Sequence, residues 1–255
     1  MLHPATLLKR SLIFVHRWLG VALSILFMLW FCSGIVMMYW SFPGISREDR
    51  LKRAPVLNPA QIQLTPEEAW ASLHRQTRPG GVRLGSFDGR PVYRFTEAAA
   101  GGRERRSGRG ETDQTTVFAD DGSSPGKMDD AVIDRAAVAW AGQPVAAAKK
   151  ESVEEVDQWT VGSQLRTLRP LFKYSFADGQ QVYVSGRDAE VVQYTTSESR
   201  FWAYLGAIPH WLYFTPLRKN QPAWFQFVVW TSGIGTIAAI LGIVIAIWMF
   251  SPSKK

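Results

Sequence analysis

The chain has 255 residues, with 29 basic and 22 acidic residues, a formal charge of +7 and a single cysteine. All 22 acidic residues fall within residues 41–200, where basic residues balance them, so the positive excess lies at the two ends of the chain. This distribution argues against nucleic-acid binding, because Lys and Arg beside apolar segments face lipid phosphates and help to set helix orientation. The lone Cys32 excludes an intrachain disulfide and a cysteine-based metal site within one chain.

The first long uncharged stretch lies between Arg17 and Arg47 and predicts a membrane-spanning helix. A spanning helix needs about 20 apolar residues, and we place this one from Leu7 to Trp40. Pro43 follows it, and proline cannot continue the helical hydrogen-bond ladder. No A-x-A-like cleavage site follows, and the stretch is longer than the apolar core of a signal peptide. We therefore interpret it as an uncleaved anchor.

The middle of the chain contains a weak internal repeat of one helix followed by strands. The first helix begins at Thr65, with Pro66 at its first position and acidic residues in its first turn. The second runs from Ala131 to Trp140 and ends at Gly142. Alternating apolar and polar residues predict half-buried strands. These are Val82–Phe87, Pro91–Thr96 and Thr115–Ala119 in the first copy, and Val145–Val153, Pro170–Phe176, Gln180–Ser185 and Glu190–Tyr194 in the second.

Two further segments complete the middle region. Residues 98–111 are rich in Gly, Arg and Glu, which is typical of a solvated hairpin insertion, although the arginine cluster could also bind an anion or a headgroup. The stretch from Phe201 to Tyr213 is aromatic and uncharged, so we expect it to lie along the membrane interface.

A second uncharged stretch, residues 220–253, predicts a C-terminal spanning helix. Gly235 and Ala239, or Ala238 and Gly242, are small residues four apart that allow membrane helices to approach closely. The basic residues around the first helix are nearly balanced between its two ends, whereas the Lys254-Lys255 tail favours both termini in the cytoplasm.

The predicted organisation thus has six segments. They are an N-terminal transmembrane helix (1–42), a linker (43–64), a first helix-plus-sheet unit (65–128), a second such unit (129–198), an interfacial segment (199–219) and a C-terminal transmembrane helix (220–255).

Several motifs together resemble the PepSY and PepSY-associated transmembrane family. They are His16-Arg17-Trp18-Leu19-Gly20 and Ser33-Gly34-Ile35-Val36-Met37-Met38 in the first helix, Pro170-Leu171-Phe172 with Asp178-Gly179 and Val182-Tyr183-Val184 in the second unit, and Ile208–Arg218 before the last helix. The resemblance implies an α+β membrane protein in which two transmembrane helices flank an extramembrane domain of two tandem PepSY-like units. It places this domain in the periplasm and the helices in the bacterial inner membrane.

The resemblance covers the N-terminal half of longer relatives, which continue with more spanning helices. Some of these resemble siderophore reductases that hold b-type haem between histidines of a four-helix bundle. Other PepSY proteins are proposed to restrain peptidases. The family therefore implies either haem-b-linked electron transfer in envelope iron or redox metabolism, or a non-catalytic module that binds an envelope peptidase or a membrane partner.

His16 and His210 are the candidate cofactor-binding residues. Haem iron takes axial imidazoles, and an ionisable residue at membrane depth indicates a function. Gly20 lies one turn from His16 on the same face, where a missing side chain allows a porphyrin or another helix to approach. The alternative is that both are interfacial histidines that hydrogen-bond headgroups or backbone.

Geometry predicts that the two histidines do not share one haem. We expect His16 near the cytoplasmic surface and His210 near the opposite surface, about 24 residues or 36 Å apart at 1.5 Å per residue. Each would then need a partner in a homo-oligomer or from a membrane partner subunit.

No catalytic or metal-ligating set is predicted. The motifs H-E-x-x-H, G-x-S-x-G and the P-loop do not occur, and acidic pairs such as Asp120-Asp121 suit helix starts and turns. The chain is thus interpreted as an accessory subunit, reductase-like if it is enzymatic.

Overall fold

A computed structural model of the protein describes residues 4–75, 77–97, 114–126 and 128–250. Residues up to Phe42 and from Glu198 form one compact unit, the helical unit, and Pro43–Ser197 form the other, the sheet unit. The helices are α1 (Pro4–Met37), α2 (Arg47–Arg53), α3 (Pro66–Ala71), α4 (Asp130–Ala141), α5 (Ser197–Leu205), α6 (Ala207–Trp211), α7 (Thr215–Lys219) and α8 (Gln221–Phe250). The strands are β1 (Pro79–Phe87), β2 (Arg90–Glu97), β3 (Gln114–Phe118), β4 (Ala148–Val153), β5 (Leu171–Phe176), β6 (Gln181–Ser185) and β7 (Val191–Thr195).

In the helical unit, α1 and α8 are long and apolar enough to cross a membrane, as the sequence predicts. Gly235 and Ala238 of α8 are buried, and a Cβ on Gly235 would lie only 3.2 Å from the Phe27 ring of α1. Small residues thus let the two helices approach closely. The predicted pair of Ala238 and Gly242 lies on the contact face, whereas Ala239 is exposed, because it is one position further around the helix.

The segment before α8, expected as an interfacial stretch, is folded into the short helices α5, α6 and α7. Gly206, between α5 and α6, lies so close to α1 that a Cβ there would be 3.0 Å from Val36 Cγ1. The rings of Trp40 and Trp202 stack with centroids 3.8 Å apart. These contacts hold the short helices against the C-terminal end of α1.

The first repeat of the sheet unit consists of α3 and an antiparallel sheet with the order β1-β2-β3. A capping box starts α3, in which Thr65 and Glu68 bond reciprocally to each other's backbone N–H. Trp70 of α3 packs on Tyr93 and Phe95 of β2 in one buried cluster. The predicted strands agree with β1, β2 and β3 to within a few residues, and the predicted loop at 98–111 lies outside the described residues.

The second repeat consists of α4 and the antiparallel sheet β4-β5-β6-β7. Asp129 caps α4 by accepting a 2.8 Å hydrogen bond from the Val132 N–H, and Gly142 ends it with φ of 69°. Ile133 and Ala137 of α4 pack on the buried Tyr174. The four predicted strands are present, but β4 begins at Ala148 because a single 3₁₀ turn occupies Val145–Ala147.

Two ion pairs and an apolar contact join the repeats within the sheet unit. Arg135 of α4 donates two hydrogen bonds of 2.7 Å to Asp88, and Arg94 of β2 lies 2.9 Å from Glu190. Phe87 of β1 packs on the core of the second repeat. The repeats therefore share part of one core.

The predicted extended linker contains an unpredicted helix, α2. Ser46 caps it in a capping box with Asp49. Arg53 lies between the rings of Trp140 and Tyr194, at 5.2 and 4.8 Å from their centroids, and donates to the Trp140 carbonyl. The helix is almost entirely charged, so it carries no apolar periodicity that could reveal it.

Candidate functional site

The first candidate, His16, lies on α1 and contacts α8. Its Nδ1 lies 2.9 Å from the Ala238 carbonyl oxygen. Because a carbonyl only accepts hydrogen bonds, Nδ1 carries a proton, so in the neutral form of the ring the lone pair would be on Nε2. This Nε2 makes no hydrogen bond to any described residue. The ring lies directly over Gly242, where a Cβ would be 2.8 Å from His16 Cε1.

The second candidate, His210, lies on α6 and contacts α1 in the same manner. Its Nδ1 lies 3.1 Å from the Trp30 carbonyl oxygen and 3.2 Å from Ser33 Oγ. The ring lies over Gly34, where a Cβ would be 3.3 Å from His210 Cε1. The proton therefore lies on Nδ1 here too, and Nε2 has no hydrogen bond within the described residues.

The two histidines use one arrangement, in which the accepting carbonyl comes four residues before the glycine. In a helix, that carbonyl already accepts the N–H of the glycine. Since the glycine has no side chain, the imidazole can reach the same oxygen from outside. Trp30 and Gly34 form this pair for His210, and Ala238 and Gly242 form it for His16. Histidines that bind metals likewise fix their orientation through the second ring nitrogen.

The histidines do not form one site. His210 contacts α1 at Trp30, and the stretch from His16 to Trp30 spans about 21 Å at 1.5 Å per residue. The separation is shorter than the sequence predicts, because α6 packs against α1 at Trp30, before the C-terminal end of α1 at Met37. The imidazoles are nevertheless too far apart to act as the two axial ligands of one iron.

Gly20, which the sequence places on the face of His16, is open. A Cβ on it would meet no described atom within 4 Å. This part of α1 is thus unoccupied by the described residues of the chain, and it can accept a second helix or a flat ligand.

The described residues contain no group of three or more His, Cys, Asp or Glu side chains that could hold a metal ion. The acidic pairs have local partners instead. Asp120 and Asp121 accept hydrogen bonds from Arg90 at 2.6–2.8 Å, and Ser123 donates to Asp121. The hydrogen bonds from Ser123 and Arg90 lower the pKa of Asp121 to about 2.

An open cleft of about 310 Å³ adjoins His210 in the helical unit. Its walls include Trp30, His210, Trp211, Tyr213, Trp224 and Ser232. The indole N–H of Trp30 is buried and has no hydrogen-bond acceptor among the described residues. Sequence reasoning missed this cleft, although the aromatic run ending at Tyr213 was a signal of it.

A second cleft, of about 350 Å³, lies where the two repeats of the sheet unit meet. Its walls include Arg75, Arg94, Thr116, Arg187, Asp188 and Glu190. Burial and the neighbouring Glu190 raise the pKa of Asp188. No local motif marks this cleft, because its residues come from distant parts of the chain.

No protein-family model matches the chain, and comparisons with curated proteins and with solved structures also give no match.

Proposed function

We propose that the chain is an inner-membrane subunit of PepSY type that takes part in haem-b-linked electron transfer in envelope iron or redox metabolism. In this proposal α1 and α8 span the membrane with both termini in the cytoplasm, and the sheet unit lies in the periplasm as two tandem PepSY-like units. The observation that carries the proposal is the shared arrangement of His16 and His210. Each ring is fixed through Nδ1, and its Nε2 has no hydrogen bond to the residues that the structure describes.

The residues fit a haem in their donor chemistry. A neutral imidazole with a free Nε2 can serve as an axial ligand of haem iron. A carbonyl that accepts a hydrogen bond from Nδ1–H increases the basicity of Nε2. A bound haem would supply one-electron chemistry. Ala238 and Trp30 would orient the ligands, and Gly242 and Gly34 would make room for the rings.

Each histidine would supply only one axial ligand, because the two lie about 21 Å apart along α1. The second ligand would come from another chain, in a homo-oligomer or a complex with a membrane partner subunit. The open face at Gly20 supports such a contact beside His16.

Visible spectroscopy of the full chain, purified in mild detergent from haem-supplied cells, tests the proposal. We expect a b-type Soret band and a reduced α band that are lost or reduced in His16→Ala and His210→Ala. His74→Asn is the matched control, because His74 is exposed in the sheet unit and has φ of 51°, which Asn tolerates. A folded but colourless protein would contradict the proposal.

The second candidate function, an interaction module without a cofactor, is favoured by the cleft between the repeats. Charged and hydroxyl side chains line it, including Arg94, Thr116 and Asp188, and such a surface suits a polar segment of another protein. A photo-crosslinking amino acid at Thr116 would test this in cells, with Val56, which is 98% exposed, as the control position. Specific capture of a peptidase from Thr116 supports the module, and identical products from both positions contradict it.

A further inference from the structure

The strand β1 forms one edge of the three-stranded sheet in the first repeat. Among the described strands it pairs only with β2, which lies on one side of it. Every second residue of an edge strand points its N–H and C=O groups away from the neighbouring strand. Within the described part of the chain, no residue outside β2 forms a hydrogen bond with the backbone of β1. The outer side of β1 therefore presents a row of backbone donors and acceptors.

The other edge strands differ from β1, because segments outside their sheets bond to them. Gln63 N–H donates a 2.9 Å hydrogen bond to the carbonyl of Ala119, which directly follows β3. Arg169 Nη1 donates to the Val153 carbonyl of β4 at 2.9 Å, and Arg50 Nη2 donates to a carbonyl of β7 at 3.4 Å. Of the four edge strands that the structure describes, β1 is thus the one that is open to another chain.

Two apolar side chains of β1 continue the face that carries the buried cluster of the first repeat. Val82 and Leu84 lie opposite Phe95 and Tyr93 of β2, so all four side chains stand on one face of the sheet. Phe95 and Tyr93 are buried with Trp70 of α3, whereas Val82 and Leu84 are 45% and 43% exposed. The helix therefore leaves the β1 end of this face uncovered, and an added strand would cover both side chains.

The opposite face of β1 carries a positive charge that has no ion pair within the described residues. Arg83 is exposed and lies opposite Arg94 in the register of β1 and β2. Arg94 lies 2.9 Å from Glu190, which balances its own charge. Like charges in opposite positions on two strands repel each other. An acidic side chain on a strand added beside β1 would lie next to Arg83 and offset this repulsion.

We propose that the β1 edge binds an extended segment of a partner protein by strand addition, and that apolar and acidic side chains alternate in this segment. Its backbone would pair with the open side of β1. Because successive side chains of a strand point to opposite faces, its apolar residues would cover Val82 and Leu84 while its acidic residues face Arg83. A second copy of the chain fits this edge poorly, since β1 contains no acidic residue and would bring a second Arg83.

Fluorescence anisotropy with two labelled peptides tests the binding on the full chain in a neutral detergent. The acidic probe is Thr-Val-Glu-Val-Glu-Val-Thr, and the basic probe has lysine in place of glutamate. We expect saturable binding of the acidic probe and at least tenfold weaker binding of the basic probe. Arg83→Gln should remove this preference. Arg83→Glu should reverse it, and this variant should fold, because it places a carboxylate opposite Arg94. Arg47→Glu is the matched control, since Arg47 is exposed on α2, and it should keep the preference.

Amide hydrogen exchange distinguishes strand addition from attraction between charges alone. A saturating concentration of the acidic probe should slow exchange several-fold at the β1 amides that point away from β2, because these N–H groups then donate to the probe. Exchange in α2 should stay unchanged. Binding of the probe without slower exchange in β1 overturns strand addition.

The remaining outcomes separate this site from the proposed haem function. Absence of saturable binding, equal binding of the two probes, or an equal effect of Arg83→Glu and Arg47→Glu overturns the strand-addition site. Val82, Arg83 and Leu84 belong to the sheet unit and do not line the cleft between the repeats. Haem bands in a protein that binds neither probe support the haem proposal and overturn this site. Preferential binding of the acidic probe by a colourless protein supports this site and contradicts the haem proposal.

Discussion

The ring of His16 lies over Gly242 so closely that a Cβ on this glycine would be 2.8 Å from Cε1 of the ring. The glycine thereby exposes the Ala238 carbonyl, to which His16 Nδ1 donates at 2.9 Å. His210 repeats this arrangement on the other long helix, with Gly34 and Trp30. In both cases a missing side chain decides where an imidazole lies and which nitrogen it leaves free.

Gly242→Ala should therefore turn the His16 ring away and break its hydrogen bond to Ala238. Relative to a Gly→Ala change in the same helix that disturbs no contact, we expect a loss of about 1 kcal/mol in stability, the usual net value of such a bond, seen as a lower thermal unfolding midpoint in detergent. Gly233→Ala on the same helix is the matched control, because a Cβ there meets no described atom within 4 Å. It should be neutral or stabilising by up to about 1 kcal/mol, since Ala is the better helix former. Equal shifts in both variants would contradict the role of Gly242.

The regular elements of the fold follow closely from local sequence patterns. Alternation predicts the strands of both sheets, and the Thr65 cap marks the start of α3. The candidate histidines were also evident, because ionisable residues are rare in apolar stretches. These signals are short-range, so one sequence is enough to detect them.

The parts that sequence reasoning missed depend on contacts between distant residues. The helix α2 has no apolar face, and its Arg53 is held by aromatic rings of the second repeat, so propensity alone does not reveal it. The pairing of His210 with Trp30 joins positions 180 residues apart. The position of His210 along α1 follows from the folding of α5 and α6. The sequence predicted about 36 Å between His16 and His210 along the helix axis, at about 1.5 Å per residue, and the structure gives about 21 Å.

The proposed orientation predicts the accessibility of single cysteines. In a Cys32→Ser background, Val56→Cys should react with a membrane-impermeant maleimide in intact spheroplasts, because Val56 is 98% exposed on the sheet unit. Thr6→Cys, exposed near the start of α1, should react only after permeabilisation. Neither substitution changes a charge, so the positive residues that orient the helices stay as they are. The reverse labelling pattern would show that the sheet unit faces the cytoplasm.

Arg53 should anchor α2 to the second repeat. Arg53→Ala removes contacts with the rings of Trp140 and Tyr194 and the hydrogen bond to the Trp140 carbonyl. Cation–π contacts contribute about 0.5–2 kcal/mol, so amide hydrogen exchange in α2 should become several-fold faster. Arg53→Lys should restore little of this protection, since an ammonium lacks the planar guanidinium that stacks on rings. Lys52→Ala, which removes an exposed pair with Glu48, should leave exchange nearly unchanged.

The Arg90–Asp120–Asp121 cluster should make the sheet unit sensitive to acid only at low pH. Hydrogen bonds from Ser123 and Arg90 lower the pKa of Asp121 from 3.8 to about 2, and the Arg90 bond lowers that of Asp120. Because a lowered pKa favours the folded state above the ordinary value, this contribution is complete above about pH 4 and is lost as the pH falls towards 2. NMR titration of ¹³C-labelled Asp carboxylates in the full chain in detergent measures both groups.

Two variants assign the cause of these shifts. Ser123→Ala should move the pKa of Asp121 back towards 3.8 and leave that of Asp120 low, because Ser123 donates to Asp121. Arg90→Gln should instead raise the pKa of Asp120, for which the Arg90 hydrogen bond is the largest cause of the shift. If Ser123→Ala left the pKa of Asp121 unchanged, the Ser123 hydroxyl could not be a cause of the shift, and the backbone N–H of residue 123 together with Arg90 would account for it.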